Sequence, residues 1–350
     1  MSLAPAPQDV LVAPGQSIQE ALDAAGPGVT IRLEAGTYAE HLWIRHGGVT
    51  LVGAGPGRTV LRPGGEPTAS IPQLTDAPEG AVSGISVHGT GEPVEGVTLR
   101  GITITGFPGA GVHAHSATDL TVEDVAVEDN AVWGIYLRES ERLTVRRCQA
   151  SGSQYGGVAL SFCSGDTSLI TDTETHTNGF GLFVDNSSHA RLVGNRAHGN
   201  AAGVMLLNQT YPGEPPGGVR DCLVIDNDIH ANNLAAGGGD PEVLAPAGPP
   251  ISGVGVAVIG TTRVALVHNR ISGHRPSGFS VMGGAVTLAS SKEWGGADPV
   301  DNTVLGNEIT DNEPHDLQVG SDLDRQLFRG NLAPVTDPAG IDGCAGEAGQ

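Results

Sequence analysis

Apolar residues in the middle of the chain recur in a fixed rhythm. Aligned at each Gly-(Val/Ile/Leu) junction, the sequence reads VHAHSATDLTVEDVAVEDNAVWG from Val112, IYLRESERLTVRRCQASGSQYGG from Ile135, VALSFCSGDTSLITDTETHTNGFG from Val158 and LFVDNSSHARLVGNRAHGNAAG from Leu182, and Val204 opens a fifth unit. These starts lie 22 to 24 residues apart, a period typical of solenoids. Each unit holds three short alternating runs, such as Val112/Ala114, Leu120/Val122 and Val125/Val127. A two-residue period marks a strand with one buried face, and no run in the repeat is long enough for a crossover helix. Three strands per turn, stacked in parallel on the next turn, satisfy the backbone and bury one face of every strand. The predicted fold is therefore all-β, a single-stranded parallel β-helix of about ten coils.

Two further patterns set its ends and register. Ser17 is placed to N-cap a short amphipathic helix over Ile18–Ala25, with Ile18 and Leu22 on one face to plug the open end of the solenoid. The strings GNRAHGN, DNDIHAN, HNRISGH and GNEITDN put Asn195, Asn227, Asn269 and Asn307 at one position of successive coils, where side-chain amides can bond to their neighbours above and below. The expected organisation is an N-terminal extension over 1–9, the β-helix over 10–332, and a poorly ordered C-terminal tail over 333–350.

Composition narrows the function. The 53 glycines, 23 prolines and 4% aromatic residues suit a turn-rich chain, while 39% hydrophobic residues suffice for a continuous core of small side chains. A formal charge of −21, with Lys292 the single lysine, argues against a nucleic-acid partner. A polyanionic substrate would need a local arginine site or a cation such as Ca²⁺. Cys148, Cys163, Cys222 and Cys344 show no metal or disulfide spacing, and most of them read as small buried residues. No stretch approaches the ~18 apolar residues of a membrane span. MSLAPAPQDV lacks the pattern of an export leader, which favours a cytoplasmic location. Oligomeric state is left open.

The segment VLVAPGQSIQEALDAAGPGVTIRLEAGTYAEHLWIRHGGVTLVGAGPGRTVL, from Val10 to Leu61, followed by the Asn-x-Ile-type repeats, resembles the pectin-lyase-like right-handed β-helix superfamily, including its NosD-type repeat proteins. The likeness covers roughly residues 10 to 332. It implies a right-handed solenoid and leaves activity open, because that superfamily hosts lyases, hydrolases, epimerases and noncatalytic proteins. The GAGPGR string at 53–58 opens no helix and is not a phosphate loop.

With Val112, Ala114, Ile135, Leu137, Val158, Leu160, Leu182 and Val184 pointing inward, alternate residues form two outward columns with rungs ~4.8 Å apart. One reads Ser86, His113, Tyr136, Ala159, Phe183, Met205. The other reads His88, His115, Arg138, Ser161, Asp185 and then, roughly, Asn208. Insertions at 209–218, 234–253 and 288–300 interrupt the repeat beside this face and are expected to wall a cleft. Convergent ionisable groups on rigid strands are the expected functional site, chemically suited to proton abstraction next to a carboxylate or carbonyl. His115 or His113 would be the base, Tyr136 the acid, Arg138 the carboxylate or enolate anchor, and Asp185 would orient Arg138 or a histidine. His88, Ser161, Phe183, Met205, Asn208 and Tyr211 would contact substrate.

Tyr, His, Arg and Asp on this face also resemble uronate lyase and epimerase sites. The Y-G-x-D-P-H-D motif of mannuronan epimerases is absent, however, and its nearest string is EPHDLQV around His315. No Asp pair suited to glycoside hydrolysis stands on the columns. The reading is an acid/base lyase, epimerase or isomerase acting without a required cofactor on a saccharide or other small molecule, with no nucleic-acid or membrane partner. Two alternatives stay open: a noncatalytic carbohydrate- or ligand-binding scaffold, and a metal-binding β-helix using His88, His113 and His115, although His113 and His115 are ~6.8 Å apart along the strand. Trp133, Tyr155 and Phe180 read as an aromatic ladder at a turn.

Overall fold

The computed structural model describes residues 9–65, 74, 79–210, 212–215, 217–239, 244–245 and 248–345. Three long parallel sheets wind as a right-handed β-helix. The first runs from Asp9–Val12 to Gln326–Arg329 with twelve strands, the second from Gly36–Ala39 to Cys344–Ala345 with twelve, and the third from Leu42–Ile44 to Thr336–Asp337 with eleven. The coil count thus exceeds the expected ten. The rhythm is not kept throughout: Met205 pairs with Ala257, so one coil takes in a long insertion and breaks the 22 to 24-residue period.

The inward residues named from the repeat, from Val112 to Val184, all lie in one continuous buried core. Its N-terminal end is closed as expected. The helix Ile18–Ala25 buries Ile18 and Leu22, and the Ser17 hydroxyl accepts from the Glu20 N–H at 3.1 Å. Glu40, from the next coil, accepts from the N–H groups of Ile18 (2.8 Å) and Gln19 (3.1 Å), so the exposed first-turn donors are met by a carboxylate.

At the other end the chain departs from expectation. The segment after 332 continues the solenoid: Leu317 and Gln318 pair with Thr336 and Asp337, and Asn331 and Leu332 pair with Cys344 and Ala345. Two-residue strands among Pro and Gly carry no readable alternation, which is why this stretch reads as a tail.

The turn between the first and second sheets is a one-residue corner. Asp124, Arg147, Asp172, Asp226 and His268 take φ between 50° and 55° there, and Gly194, Gly306 and Gly330 occupy the same site in other coils. The next residue forms the asparagine ladder. Asn195, Asn227, Asn269 and Asn307 each donate Nδ2–H to Oδ1 of the following rung at 2.9–3.0 Å, ending on Asn331. A second ladder runs through Asn178, Asn200 and Asn232, after which His274 takes the asparagine's place. Its Nδ1 accepts from the Asn232 N–H at 3.1 Å and its Nε2 stands 3.2 Å from the Ile229 carbonyl. Cys148, Cys163 and Cys222 are buried free thiols, with burial pushing the first two up to about 12 and Cys222 up to about 11. Among the described residues no helix is long and apolar enough to cross a membrane.

Candidate functional site

The site face belongs to the third sheet, whose central strands are six residues long, from Ala110–His115 to Val254–Ile259. Register pairs Ser86 with His113, His113 with Tyr136, Tyr136 with Ala159, Ala159 with Phe183 and Phe183 with Met205. The second column runs His88, His115, Arg138, Ser161, Asp185, and its next rungs are Leu207 and Ile259. Asn208 is therefore not on the column. It stands one residue past the strand, where its amide donates to the Gly260 carbonyl at 2.8 Å, because the alternation that starts at Val204 puts Leu207, not Asn208, outward.

Outward does not mean exposed here. His113 is 1% accessible, Tyr136 4%, and Arg138 and Asp185 7%. Tyr136, Ala159, Phe183 and Met205 form a second apolar cluster with Leu74, Ala81, Val132 and Met282, which come from outside the strands. Trp133 lies flat on Tyr136 (5.1 Å, 11°) and stacks on Phe183 (5.8 Å), while Phe180 stacks on Phe183 (5.0 Å). Trp133 and Phe180 are not turn residues but open their strands, in register with Gly156 between them, and interleave with the column; Tyr155, one residue before its strand, meets Trp133 at 5.5 Å.

The polar groups form a chain at the edge of this cluster. Arg138 Nη1 donates to the Tyr136 hydroxyl at 3.3 Å and its Nε to Glu139 Oε1 at 3.0 Å. The same Glu139 oxygen lies 3.4 Å from His115 Nε2, and His115 Nδ1 is 3.3 Å from His88 Nε2. The Arg138 guanidinium rests 4.6 Å above the Phe162 ring. Glu139 and Phe162 were missed from sequence. Both are corner residues with left-handed φ of 47° and 53°, outside the alternation that defines the columns.

Electrostatics separates the candidate roles. Burial raises the Tyr136 pKa, while Arg138 and Ser161 lower it and Asp185 raises it further, so the phenol stays protonated at neutral pH. Burial, then the fields of His115, His88 and Arg138, hold His113 down to about 3. His113 is therefore neutral and a weak base. His88 is also lowered, by burial and then by His115. Both ring nitrogens of His113, Nδ1 of His88 and Oγ of Ser86 are buried without a hydrogen-bond partner, a costly condition for polar atoms.

The histidines do not assemble as a ligand set. His113 stacks on Tyr136 at 16°, whereas His88 and His115 meet edge to face. Among the described residues no three His, Cys, Asp or Glu side chains are grouped to hold a metal ion. His113 belongs to the other column, and the ~6.8 Å between it and His115 along the strand keeps the rings from converging.

Beyond Asp185 the face turns apolar and opens into a pocket of about 70 Å³. Its floor is Phe180, Met205, Leu207 and Ile259, and its walls include Ala236, Ile251, Met282 and Trp294. The insertions over 234–253 and 288–300 thus wall the face, as expected, but two to four rungs beyond Tyr136. Among the described residues of 209–218, only Gln209 lines the pocket. Tyr211 lies outside the described residues.

A continuous solenoid with one roofed strand face defines the class, a right-handed parallel β-helix protein. The family described as "right handed beta helix region" matches residues 83–287, more than half of the chain, and the protein belongs to it. No curated protein matches the sequence. Among solved structures the chain is similar to the A-module of a mannuronan C-5 epimerase from Azotobacter vinelandii (21% identity, 93% of each chain covered, TM-score 0.60). It is also similar to a pectate lyase (16% identity, 93% of this chain and 79% of that one, TM-score 0.54) and to the Dettilon tailspike protein (12% identity, 93% and 58%, TM-score 0.57). At these identities the likeness establishes the fold.

Proposed function

We propose that the protein is an acid/base enzyme that abstracts a proton next to a carboxylate on a uronate-like saccharide. The observation that carries this reading is the contact chain Tyr136–Arg138–Glu139–His115, a protonated phenol and an anchored guanidinium beside a half-exposed imidazole. Arg138 would hold the carboxylate and stabilise the enolate that forms when the C–H bond breaks. His115, with Glu139 at its Nε2, would take the proton, which leaves His113 as a neutral neighbour and not the base. Tyr136 would then donate its proton, to the opposite face of the carbon for epimerisation or to the leaving glycosidic oxygen for β-elimination. The epimerase and lyase among the structural neighbours support this reading by fold.

Burial favours a second reading, a noncatalytic ligand-binding solenoid, because Tyr136 at 4% exposure is covered by side chains that must part before a sugar reaches it. One experiment separates them. A panel of uronate oligosaccharides is incubated with the protein, with proton NMR reporting epimerisation and ultraviolet absorbance reporting an unsaturated product. Turnover should fall by about 10²-fold or more in Tyr136→Phe and in His115→Ala with the thermal melt unchanged. Turnover intact in both variants refutes the assignment, and binding without turnover in the parent protein supports the second reading.

A further inference from the structure

We propose that the pocket beside Asp185 is an apolar subsite for a single ring-sized group, so that the molecule bound on this face is amphipathic, a polar head at Arg138 and Tyr136 joined to an apolar aglycone. The head-group half of this statement rests on the function proposed above, whereas the pocket half does not.

The strip changes character within one rung. Asp185 pairs with Leu207 and Leu207 with Ile259, while Phe183 pairs with Met205 and Met205 with Ala257. One rung is ~4.8 Å, so Asp185 borders the pocket and Arg138 stands about 14 Å from Leu207. That span suits a sugar bearing one substituent.

The floor has no charged side chain, and an apolar concavity with few polar groups is the lining that suits an apolar group. By the measure in which one water needs on the order of 10–15 Å³, the cavity of about 70 Å³ holds one six-membered ring. Met205 and Met282 lend it adaptable walls, and Ala236 and Ala245 keep it open by being small.

These walls are pinned in place. Ala235 and Ala236 pair antiparallel with Ser252 and Ile251, and the N–H groups of Gly237, Gly238 and Ala245 donate to Leu244, Gly248 and Gln154 carbonyls at 2.8–2.9 Å. Gly237 has φ +76°, and a Cβ there would lie 2.0 Å from the Pro249 carbonyl oxygen, so only glycine permits this wall. Across the mouth, the Thr210 N–H donates to the Trp294 carbonyl at 3.2 Å, tying two insertions together. Pinned walls around an apolar concavity favour a preformed site over a surface fold.

The test uses three probes on the full chain: toluene, glucuronic acid and phenyl β-glucuronide, with binding followed by titration calorimetry. Toluene should bind saturably, and Ala236→Phe, which fills the space, should abolish that binding. Phenyl β-glucuronide should bind about tenfold or more tighter than glucuronic acid, and Ala236→Phe should erase the difference. Met282→Ala serves as a second variant whose smaller side chain removes a wall without adding bulk, and it should weaken toluene severalfold with the fold intact by thermal melt. No saturable toluene binding, or toluene binding unaffected by both variants, overturns the subsite. Toluene binding without any response to either glucuronide upholds the subsite and removes the uronate head group. Glucuronic acid and its phenyl conjugate binding equally overturns the amphipathic ligand while leaving the proposed function standing.

Discussion

His113 offers a measurement that reads the interior of the site directly. Its ring is 1% exposed, both nitrogens lack hydrogen-bond partners, and its pKa is held down to about 3 from an ordinary value of 6.5. In the unfolded chain the imidazole protonates as pH falls through 6.5, while the folded protein refuses the proton until about 3. The unfolded state therefore binds more protons throughout that window, and stability is lost as pH falls. At about pH 4.5 the loss from this one group is roughly 3 kcal/mol, two decades of proton binding at ~1.4 kcal/mol each. His113→Phe keeps an aromatic ring on Tyr136 and cannot protonate. Urea unfolding followed by circular dichroism at about pH 7.5 and about pH 4.5 should show the variant's advantage growing by roughly 3 kcal/mol between the two conditions. Any constant packing difference cancels, and removal of two unbonded nitrogens adds about 1–3 kcal/mol at both pH values. If the gap between the two proteins is the same at both pH values, the ring is solvated or protonates in place, and the neutral role given to His113 falls.

Two other substitutions test the ladders. His274 is also held down, to about 4, by burial, so His274→Asn should restore the amide ladder between Asn232 and Asn312 and raise the melting temperature at acid pH more than at neutral pH; an equal shift at both would show that His274 does not contribute to acid loss. Asn227 accepts from the N–H and Nδ2–H of Asn195 and donates to Leu192, Ile225 and Asn269, so Asn227→Ala strands several buried groups and should cost about 3–5 kcal/mol in chemical unfolding. A cost under about 1 kcal/mol would show water taking over the amide's bonds.

The repeat was readable because a β-helix writes its core as alternation. Val112, Ile135, Val158, Leu182 and Val204 are inward in five successive coils, and a one-residue error would have turned each to the outer face of the sheet. The asparagine ladder was readable for the same reason, its spacing following the coil. Burial of the outward columns was not readable. Alternation tells which way a side chain points, but only tertiary folding decides whether Leu74, Ala81 and Met282 come back to cover it. Glu139 escaped because it sits at a corner, where a left-handed φ breaks the two-residue period. Leu207 was displaced by Asn208 through a slip of one residue, at the point where the strand meets an insertion.

Comparison of the three outer faces argues for where selection has acted. Away from the third sheet, charged groups pair in contact with solvent: Arg263 on Asp221, and Arg196 and His198 on Glu174. Such pairs contribute little to stability and make no demand on the fold. A third face built for stability alone would continue the apolar run of Ala159, Phe183 and Met205, and one built for solubility alone would leave its polar atoms in water. Between Ser86 and Tyr136 it does neither, since Ser86, His88 and His113 carry buried polar atoms with no partner. That condition lowers stability, and at His113 it worsens in acid, a cost that a ligand meeting the same atoms would offset. Such a ligand would approach from the column side, where Tyr136 and Arg138 stand one rung from His113 and His115.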